Sequence, residues 1–240
     1  MKKIIKIIFN FFGWKLIKIQ THIKKPKEFA YPKPNIKDFE ILLKSSGILH
    51  LGAHRGSEAG IYNWFNKNVL WIEAIPEIFE ELKINISYQF GQKAICALLG
   101  DEDKKKMKFY LSNNDKASSS IYNLSADVKE ENLWKGRNIK MNDHIFLEMR
   151  TLDSILDEHK IAVSNYDHWV VDLQGAEMIF LKGAARALKD CKSISIEVSK
   201  KKFYEGGAKW EEIKGYLKSK NFNLLKEPTA DHSDVLFTKN

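Results

Sequence analysis

From residue 36 onward, short apolar runs alternate with segments in which apolar residues recur at helical spacing. The apolar runs predict strands at residues 47–51, 69–72, 93–98, 107–111, 169–173, 193–198, 222–225 and 235–237. The helical spacing predicts helices at residues 57–65, 76–86, 152–159, 177–188 and 210–218. The polar stretch 127–144 fits neither pattern. Strands that alternate with helices predict a parallel α/β sheet with helices on both faces.

The last two predicted strands have no helix between them, so we expect them to pair antiparallel. The expected architecture is therefore a mostly parallel sheet with one antiparallel strand at the C-terminus. A length of 240 residues suits one such domain with a short addition.

The positive charge of the chain is concentrated at its N-terminus. The whole chain has a net charge of +8, and residues 1–28 hold eight Lys and one Glu, so the rest of the chain carries only +1. Nucleic-acid-binding surfaces need basic residues spread along a groove or patch. The nearly neutral body therefore argues against a nucleic-acid partner.

Residues 1–20 combine lysines with bulky apolar side chains in the pattern of a basic amphipathic helix. The longest uncharged run, residues 7–14, is too short to span a membrane, and no A-x-A-like cleavage site is present. Such a helix either lies on an anionic membrane surface or packs on the main domain or a partner. A proline-containing linker follows, so the predicted units are residues 1–35 and 36–240.

The two cysteines, Cys96 and Cys191, both fall in apolar runs, which predicts buried free thiols. Their spacing indicates neither a disulfide framework nor a zinc site. We therefore predict a reducing, cytoplasmic location, with attachment to the inner face of the membrane if residues 1–20 bind lipid.

A glycine-rich turn follows the first predicted strand. Gly52 and Gly56 have the spacing G-x-x-x-G, which differs from the G-x-G-x-x-G of dinucleotide sites and from the P-loop. Glu73 ends the second predicted strand about twenty residues later, where a carboxylate can accept hydrogen bonds from two ribose hydroxyls. Together these features predict a nucleoside site. An ordinary turn and a solvated carboxylate are the structural alternatives.

Seven segments, taken in order, resemble the FkbM family of S-adenosylmethionine-dependent methyltransferases. They are LGAHRGSE (51–58), WIEAIPE (71–77), ALLGDED (97–103), SNNDKASSSI (112–121), RTLDSIL (150–156), VDLQGAEMIFLKGA (171–184) and IEVS (196–199). The resemblance covers roughly residues 48–237. It implies a Rossmann-like class I methyltransferase fold with a mostly parallel seven-stranded sheet, S-adenosylmethionine as cofactor, and O-methylation of a sugar, polyketide or other small molecule.

The resemblance also implies a cofactor site. The glycine turn lies against the methionine part, Glu73 holds the ribose, Ala97 lies near the adenine, and Asp172 and Gln174 face the transferring methyl. The implied cofactor-binding residues are Gly52, Ala53, His54, Gly56, Glu58, Glu73, Ala97, Asp172 and Gln174. Many class I enzymes have an acidic residue where this chain has His50, so the negative charge is expected from Asp172 or Glu58 instead.

Asp172, Glu177 and Glu197 are the candidate catalytic residues. A neutral alcohol is a weak nucleophile, so a base assists its methylation. Asp172 is the first choice because burial at a strand end raises a carboxyl pKa. Its alternative role is to orient the cofactor or cap the next helix. Glu177 alternatively interacts with the helix dipole, and Glu197 with a structural partner. No compact motif specifies a metal, so none is predicted.

The polar loop at residues 113–120 is expected to cover the cleft, where Ser118, Ser119 and Ser120 would contact substrate. A solvated turn is the alternative. His54, in the glycine turn, either acts as a base or packs beside the cofactor.

The sequence thus favours an O-methyltransferase whose partner is a small-molecule or glycan acceptor. A catalytically inactive nucleoside-binding or membrane-recruited module is the second interpretation, motivated by His50 and the apolar tail. The missing middle glycine argues against a NAD-dependent oxidoreductase.

Overall fold

The computed structural model describes residues 36–239. The predictions for residues 1–35, an amphipathic helix and a linker, lie outside the described residues and stay predictions. Within residues 36–239, no helix is long and apolar enough to cross a membrane.

Ten strands and seven α-helices form the described part of the chain. The first half contains α1 (Ile36–Lys44), β1 (Gly47–Leu51), α2 (Ala59–Trp64), β2 (Asn68–Glu73), α3 (Pro76–Ile86), β3 (Gln92–Cys96), β4 (Leu98–Leu99) and β5 (Lys105–Ser112). The second half contains α4 (Ala126–Glu130), β6 (Met141–Arg150), α5 (Leu152–Glu158), β7 (His168–Val171), α6 (Glu177–Gly183), β8 (Ser193–Ser199), α7 (Trp210–Ser219), β9 (Phe222–Leu224) and β10 (His232–Lys239).

The main sheet has seven strands in the order β3-β2-β1-β7-β8-β10-β9. Strands β3, β2, β1, β7 and β8 pair parallel with their neighbours, whereas β10 pairs antiparallel with both β8 and β9. This arrangement confirms the predicted Rossmann-like architecture with an antiparallel C-terminal strand. The strand order reverses direction between β1 and β7, and ligands of open α/β sheets bind at such a switch point.

A second, separate sheet has three strands in the order β4-β6-β5. Its strand β6 was not predicted, and only its first four residues belong to the polar stretch 127–144. Half of β6 is exposed, and its side chains are not those of a buried strand. The predicted third strand, residues 93–98, is divided in two. Strand β3 ends at Cys96, and Leu98 pairs with Met149 in the second sheet.

The main sheet is buried on both faces because its strand residues alternate between two apolar clusters. Leu49 and Trp169 belong to the cluster that packs on α5, α6 and α7. Ile48 and Trp71 belong to the cluster on the face of α2 and α3. His50 points to this second face, where its ring stacks on Trp71 with centroids 4.7 Å apart.

Three local expectations were wrong. The predicted helix 57–65 begins only at Ala59, and the Ser57 hydroxyl before it donates to the Glu58 carboxylate. Cys96 is exposed, since the strand bearing it is at the edge of the sheet, whereas Cys191 is buried as predicted. The predicted helix 177–188 stops at Gly183, where the backbone of Gly100 approaches too closely for a side chain.

Candidate functional site

A cleft opens where the parallel strands β1, β2 and β7 end. The space between its walls is about 570 Å³, counting the part that opens to solvent. Seven of the predicted site residues line it: Gly52, His54, Glu73, Ala97, Ser119, Asp172 and Gln174. The topology therefore brings together side chains that are up to 122 positions apart in the sequence.

The turn after β1 forms one wall of the cleft. Gly52 has a φ of +77°, and a Cβ on it would lie 1.7 Å from the carbonyl oxygen of Asp172. Only glycine allows this approach of the β1 and β7 ends. The backbone N–H of Gly52 donates to the Ile72 carbonyl at 3.0 Å. The turn is thus fixed to both neighbouring strands.

Glu73 closes β2 and is only 5% exposed. Its Oε2 accepts the backbone N–H of His54 and its Oε1 accepts that of Ile75, each at 2.8 Å. Burial raises the pKa of Glu73, and the two backbone hydrogen bonds partly offset that rise. Each oxygen retains a lone pair for a further donor, so the carboxylate can accept two ligand hydroxyls.

An apolar wall faces Glu73. It is formed by Ile75, Leu98, Leu99, Phe109 and Ile121. Ala97 joins β3 to the second sheet, and its N–H donates to the carbonyl of Glu73 at 2.9 Å. The cleft thus has a polar wall for hydroxyls and an apolar wall of a kind that suits a flat ring.

Asp172 and Gln174 lie opposite, just after β7. The side-chain amide of Gln174 donates to Asp172 Oδ1 and, at 2.9 Å, to Glu197 Oε2. Its oxygen accepts the hydroxyl of Tyr204. Gln174 has a φ of +52°, which is uncommon for a residue other than glycine. Such strain is held by surrounding contacts and occurs often at functional sites.

The carboxyls around Gln174 lie close together: Glu177 is buried, whereas Asp172 and Glu197 are partly buried. Burial, and then the nearby charge of Glu197, raise the pKa of Asp172 well above its usual value. Burial, followed by the charges of Glu177 and Asp234, does the same for the pKa of Glu197. His232 Nε2 lies 2.8 Å from Glu197 Oε1, and burial lowers the pKa of His232.

Glu177 lies behind the cleft rather than in it. Its Oε1 accepts the backbone N–H groups of Leu173 and Gly175, at 3.0 and 3.1 Å. Burial raises its pKa to about 7. These contacts show that Glu177 fastens the turn that carries Asp172.

Residues 113–120, the closing loop, cover the cleft. Arg55 pairs with Asp115 at 2.6 Å and also with Glu81 on α3. Lys116, which lines the cleft, pairs with Glu77 at the start of α3. Ion pairs at the surface therefore connect the loop to α3 and to the turn after β1, and such pairs are individually weak.

The three serines of the closing loop, Ser118, Ser119 and Ser120, are buried, and the hydroxyl of each is hydrogen-bonded to another residue of the chain. The Ser120 hydroxyl donates to the Gln174 carbonyl at 2.7 Å. The Asn114 amide donates to the Ser118 hydroxyl, and the Ser119 hydroxyl accepts the N–H of Ser112. Of the three, only Ser119 lines the cleft. Their predicted contact with substrate stays a prediction.

Several other predicted residues do not line the cleft: Ala53, Gly56, Glu58, Ser118, Ser120, Glu177 and Glu197. Glu58 precedes α2, and its charge acts on the buried His50 and Tyr62. His50 Nδ1 lies 3.0 Å from the Tyr62 hydroxyl, and burial lowers the pKa of His50. His50 is thus a core residue. Its departure from the acidic pattern does not alter the cleft wall.

Sequence reasoning missed the apolar wall, Lys116, Tyr204 and His232. Alternation of Met107, Phe109 and Leu111 along β5 signalled one buried face, but not its position over the cleft. Tyr204 and His232 lie 30 and 58 residues from Gln174. Only the fold brings them to it.

The Methyltransferase FkbM domain family matches residues 50–224, which include every element that lines the cleft. The chain belongs to the FkbM methyltransferase family. This membership confirms the resemblance stated above and the cofactor that it implied, S-adenosylmethionine. A search of curated protein sequences finds no match.

Solved structures of methyltransferases are similar to this FkbM chain only distantly. A TehB-like methyltransferase from Corynebacterium glutamicum has 9% identity and a TM-score of 0.44, over 85% of this chain and 86% of its own. Magnesium protoporphyrin IX methyltransferase from Synechocystis has 9% identity and a TM-score of 0.44, over 100% and 97%. Aeropyrum pernix fibrillarin, solved with bound S-adenosylmethionine, has 10% identity and a TM-score of 0.43, over 82% and 68%.

The cleft of this FkbM methyltransferase fits the cofactor in its chemistry. Glu73 has two oxygens available to the ribose hydroxyls, and the apolar wall suits the adenine. The glycine at position 52 lets the ligand approach the backbone. Within residues 36–239, no cluster of three or more His, Cys, Asp or Glu side chains is arranged to hold a metal ion.

Proposed function

We propose that this FkbM methyltransferase transfers a methyl group to a hydroxyl oxygen of a saccharide, glycan or other small molecule. The observation that carries the proposal is a partly buried carboxyl of raised pKa, Asp172, in the same cleft as the ribose-binding candidate Glu73. A base in the cleft suits an alcohol acceptor, which must lose a proton when it is methylated.

The turn after β1 and the end of β2 would bind the cofactor. Gly52 and His54 would contact the methionine part, Glu73 the ribose, and Ala97 with the apolar wall the adenine. When bound, S-adenosylmethionine supplies the methyl group; its carbon–sulfur bond breaks as the bond to the acceptor oxygen forms, and the electron pair stays on sulfur. The chain then mainly has to align the acceptor oxygen with that methyl.

Asp172 is the proposed base. Gln174 donates to its Oδ1, and the carboxyl lines the cleft, where it would receive the hydroxyl proton of the acceptor. A raised pKa makes the Asp172 carboxylate a stronger base toward the hydroxyl proton of the acceptor. Glu177 and Glu197, which lie behind Gln174, would act on Asp172 through the turn and through charge rather than by contact with substrate.

The first test measures cofactor binding. We expect calorimetric titration of the purified chain with S-adenosylmethionine to show saturable binding. Glu73→Ala should weaken the affinity about 100-fold, because charge-assisted hydrogen bonds contribute about 1.5–3 kcal/mol. Glu130→Gln, on the exposed end of α4, serves as the matched control and should bind like the wild type. No heat at millimolar cofactor, with folded protein, would remove the proposal.

The second test measures turnover. With a panel of saccharide and small-molecule alcohols, S-adenosylhomocysteine should form with at least one acceptor and be lost in Asp172→Asn. The inactive-module interpretation instead expects cofactor binding with no product across the whole panel. Methylation confined to nitrogen or carbon acceptors would contradict the proposed chemistry while leaving the family assignment intact.

A further inference from the structure

Asp172 and Glu197 come from different strands and meet at one amide. The Gln174 side-chain nitrogen donates to both carboxyls, and the two carboxyls are also within hydrogen-bonding reach of each other. A hydrogen bond between two carboxyl groups requires a proton on one of them. Two carboxylates this close cannot both ionise readily, as in other carboxyl pairs that share one proton.

Three lysines, Lys201, Lys202 and Lys209, line the pocket outside Glu177 and Glu197, and Lys201 pairs there with Glu131. The groups that face the pair are Gln174, Tyr204, Glu177, His232 and Asp234. Three of these are acids or a phenol, Gln174 is neutral, and burial holds the pKa of His232 below its usual value. Within residues 36–239, no Lys or Arg forms an ion pair with Asp172 or Glu197.

We propose that Asp172 and Glu197 share one proton in the cofactor-free protein and that binding of the positively charged sulfonium cofactor in the adjoining cleft releases it. This inference rests on the proposed function, because it places the cofactor beside Asp172. A cation near an acidic pair favours the fully ionised form. The proton goes to the solvent, and the pair gains one negative charge opposite the sulfonium.

The consequence is a base that is made only when the methyl donor is present. After transfer the acceptor's hydroxyl proton lies on Asp172, and the product S-adenosylhomocysteine is uncharged at sulfur. The pair has then returned to its starting state with one shared proton. The single proton produced by methylation of an alcohol is thus released at cofactor binding, before the transfer.

The test compares two ligands that differ only in the methyl group and the charge on sulfur. Calorimetric titrations at pH 7, in buffers of different ionisation enthalpy, count the protons released on binding. We expect S-adenosylmethionine to release about one proton more than S-adenosylhomocysteine does. Equal proton release by the two ligands would overturn the inference, whereas failure of both to bind would overturn the proposed function.

Glu197→Gln locates the effect. The variant removes one member of the pair and the charge that adds to the burial-raised pKa of Asp172, so the extra proton release should fall well below one while S-adenosylmethionine still binds. Glu130→Gln, an exposed acid on α4, should keep the full extra proton. Persistence of the extra proton in Glu197→Gln would assign it to another group. If that variant fails to fold, the wild-type comparison of the two ligands decides alone.

Discussion

Glu73 and Asp172 occupy equivalent places, each at the end of a parallel strand that borders the cleft, yet their surroundings differ. Two backbone N–H groups bind the carboxylate of Glu73. Asp172 is bound by the side-chain amide of Gln174, and other acids surround it. Burial raises the pKa of both, but only at Asp172 do neighbouring negative charges add to the rise.

The different surroundings suit the two carboxyls to different tasks, ligand binding for Glu73 and proton transfer for Asp172. A carboxylate fixed by backbone donors keeps its charge and geometry, which is what holding a ribose requires. A carboxyl among like charges can exchange a proton, which is what a base requires. The same residue class at the same kind of strand end thus serves two purposes, decided by neighbours that come from β8, β10 and the loop after β8.

The largest expected effect is a loss of stability in Gly52→Ala, because this change would disturb the ends of both β1 and β7. The added Cβ would meet the Asp172 carbonyl at 1.7 Å, and the φ of +77° disfavours any side chain. We expect a loss of about 4 kcal/mol in the free energy of unfolding, measured by urea denaturation.

Gly60→Ala is the matched control for this change. Position 60 lies in α2, and a Cβ added there would have no atom within 4 Å, so alanine should be neutral or stabilise by up to about 1 kcal/mol. Similar stabilities for the two variants would show that the β1 and β7 ends do not depend on the close approach.

Glu177 combines the environments of Glu73 and Asp172, since it has both backbone donors and acidic neighbours. Its Oε1 accepts two backbone N–H groups, yet its pKa rises to about 7 among the acids. Between about pH 4.5 and 7 the folded chain therefore binds more protons than the unfolded chain. The stability contributed is complete below about pH 4.5 and is lost as the pH rises through 7.

Urea unfolding at pH 5 and pH 8 measures this loss. We expect Glu177 to account for a decrease of about 3 kcal/mol in the wild type. Glu177→Gln keeps an oxygen for the two N–H groups but cannot ionise, so its stability should fall less with pH. Glu130→Gln should retain the wild-type slope. A slope unchanged in Glu177→Gln would place the titration elsewhere in the acid cluster.

The sequence predicted the Glu73 end of the site better than the Asp172 end. Glu73, Gly52 and Ala97 follow strands whose apolar runs are short and clear, and their contacts are with backbone close in the fold. The Asp172 network depends on side chains from Tyr204 and from β10. Nothing in local spacing links these to Gln174. Strand β6 was also not predicted, because half of its ten residues are exposed.

The smallest expected effect tests whether the Asp172 end depends on a side-chain donor. Tyr204 is 2% exposed, and its hydroxyl donates to Gln174 Oε1. Tyr204→Phe removes that donor and the bond of the same hydroxyl to the Ser118 carbonyl, so we expect a loss of about 1–2 kcal/mol in unfolding free energy. Tyr88→Phe, at a side chain 94% exposed, should change stability by less than about 0.5 kcal/mol. Equal stabilities would mean that Asp172 and Glu197 alone orient the Gln174 amide, and the contrast with the backbone-held Glu73 would then rest on charge rather than on the donor.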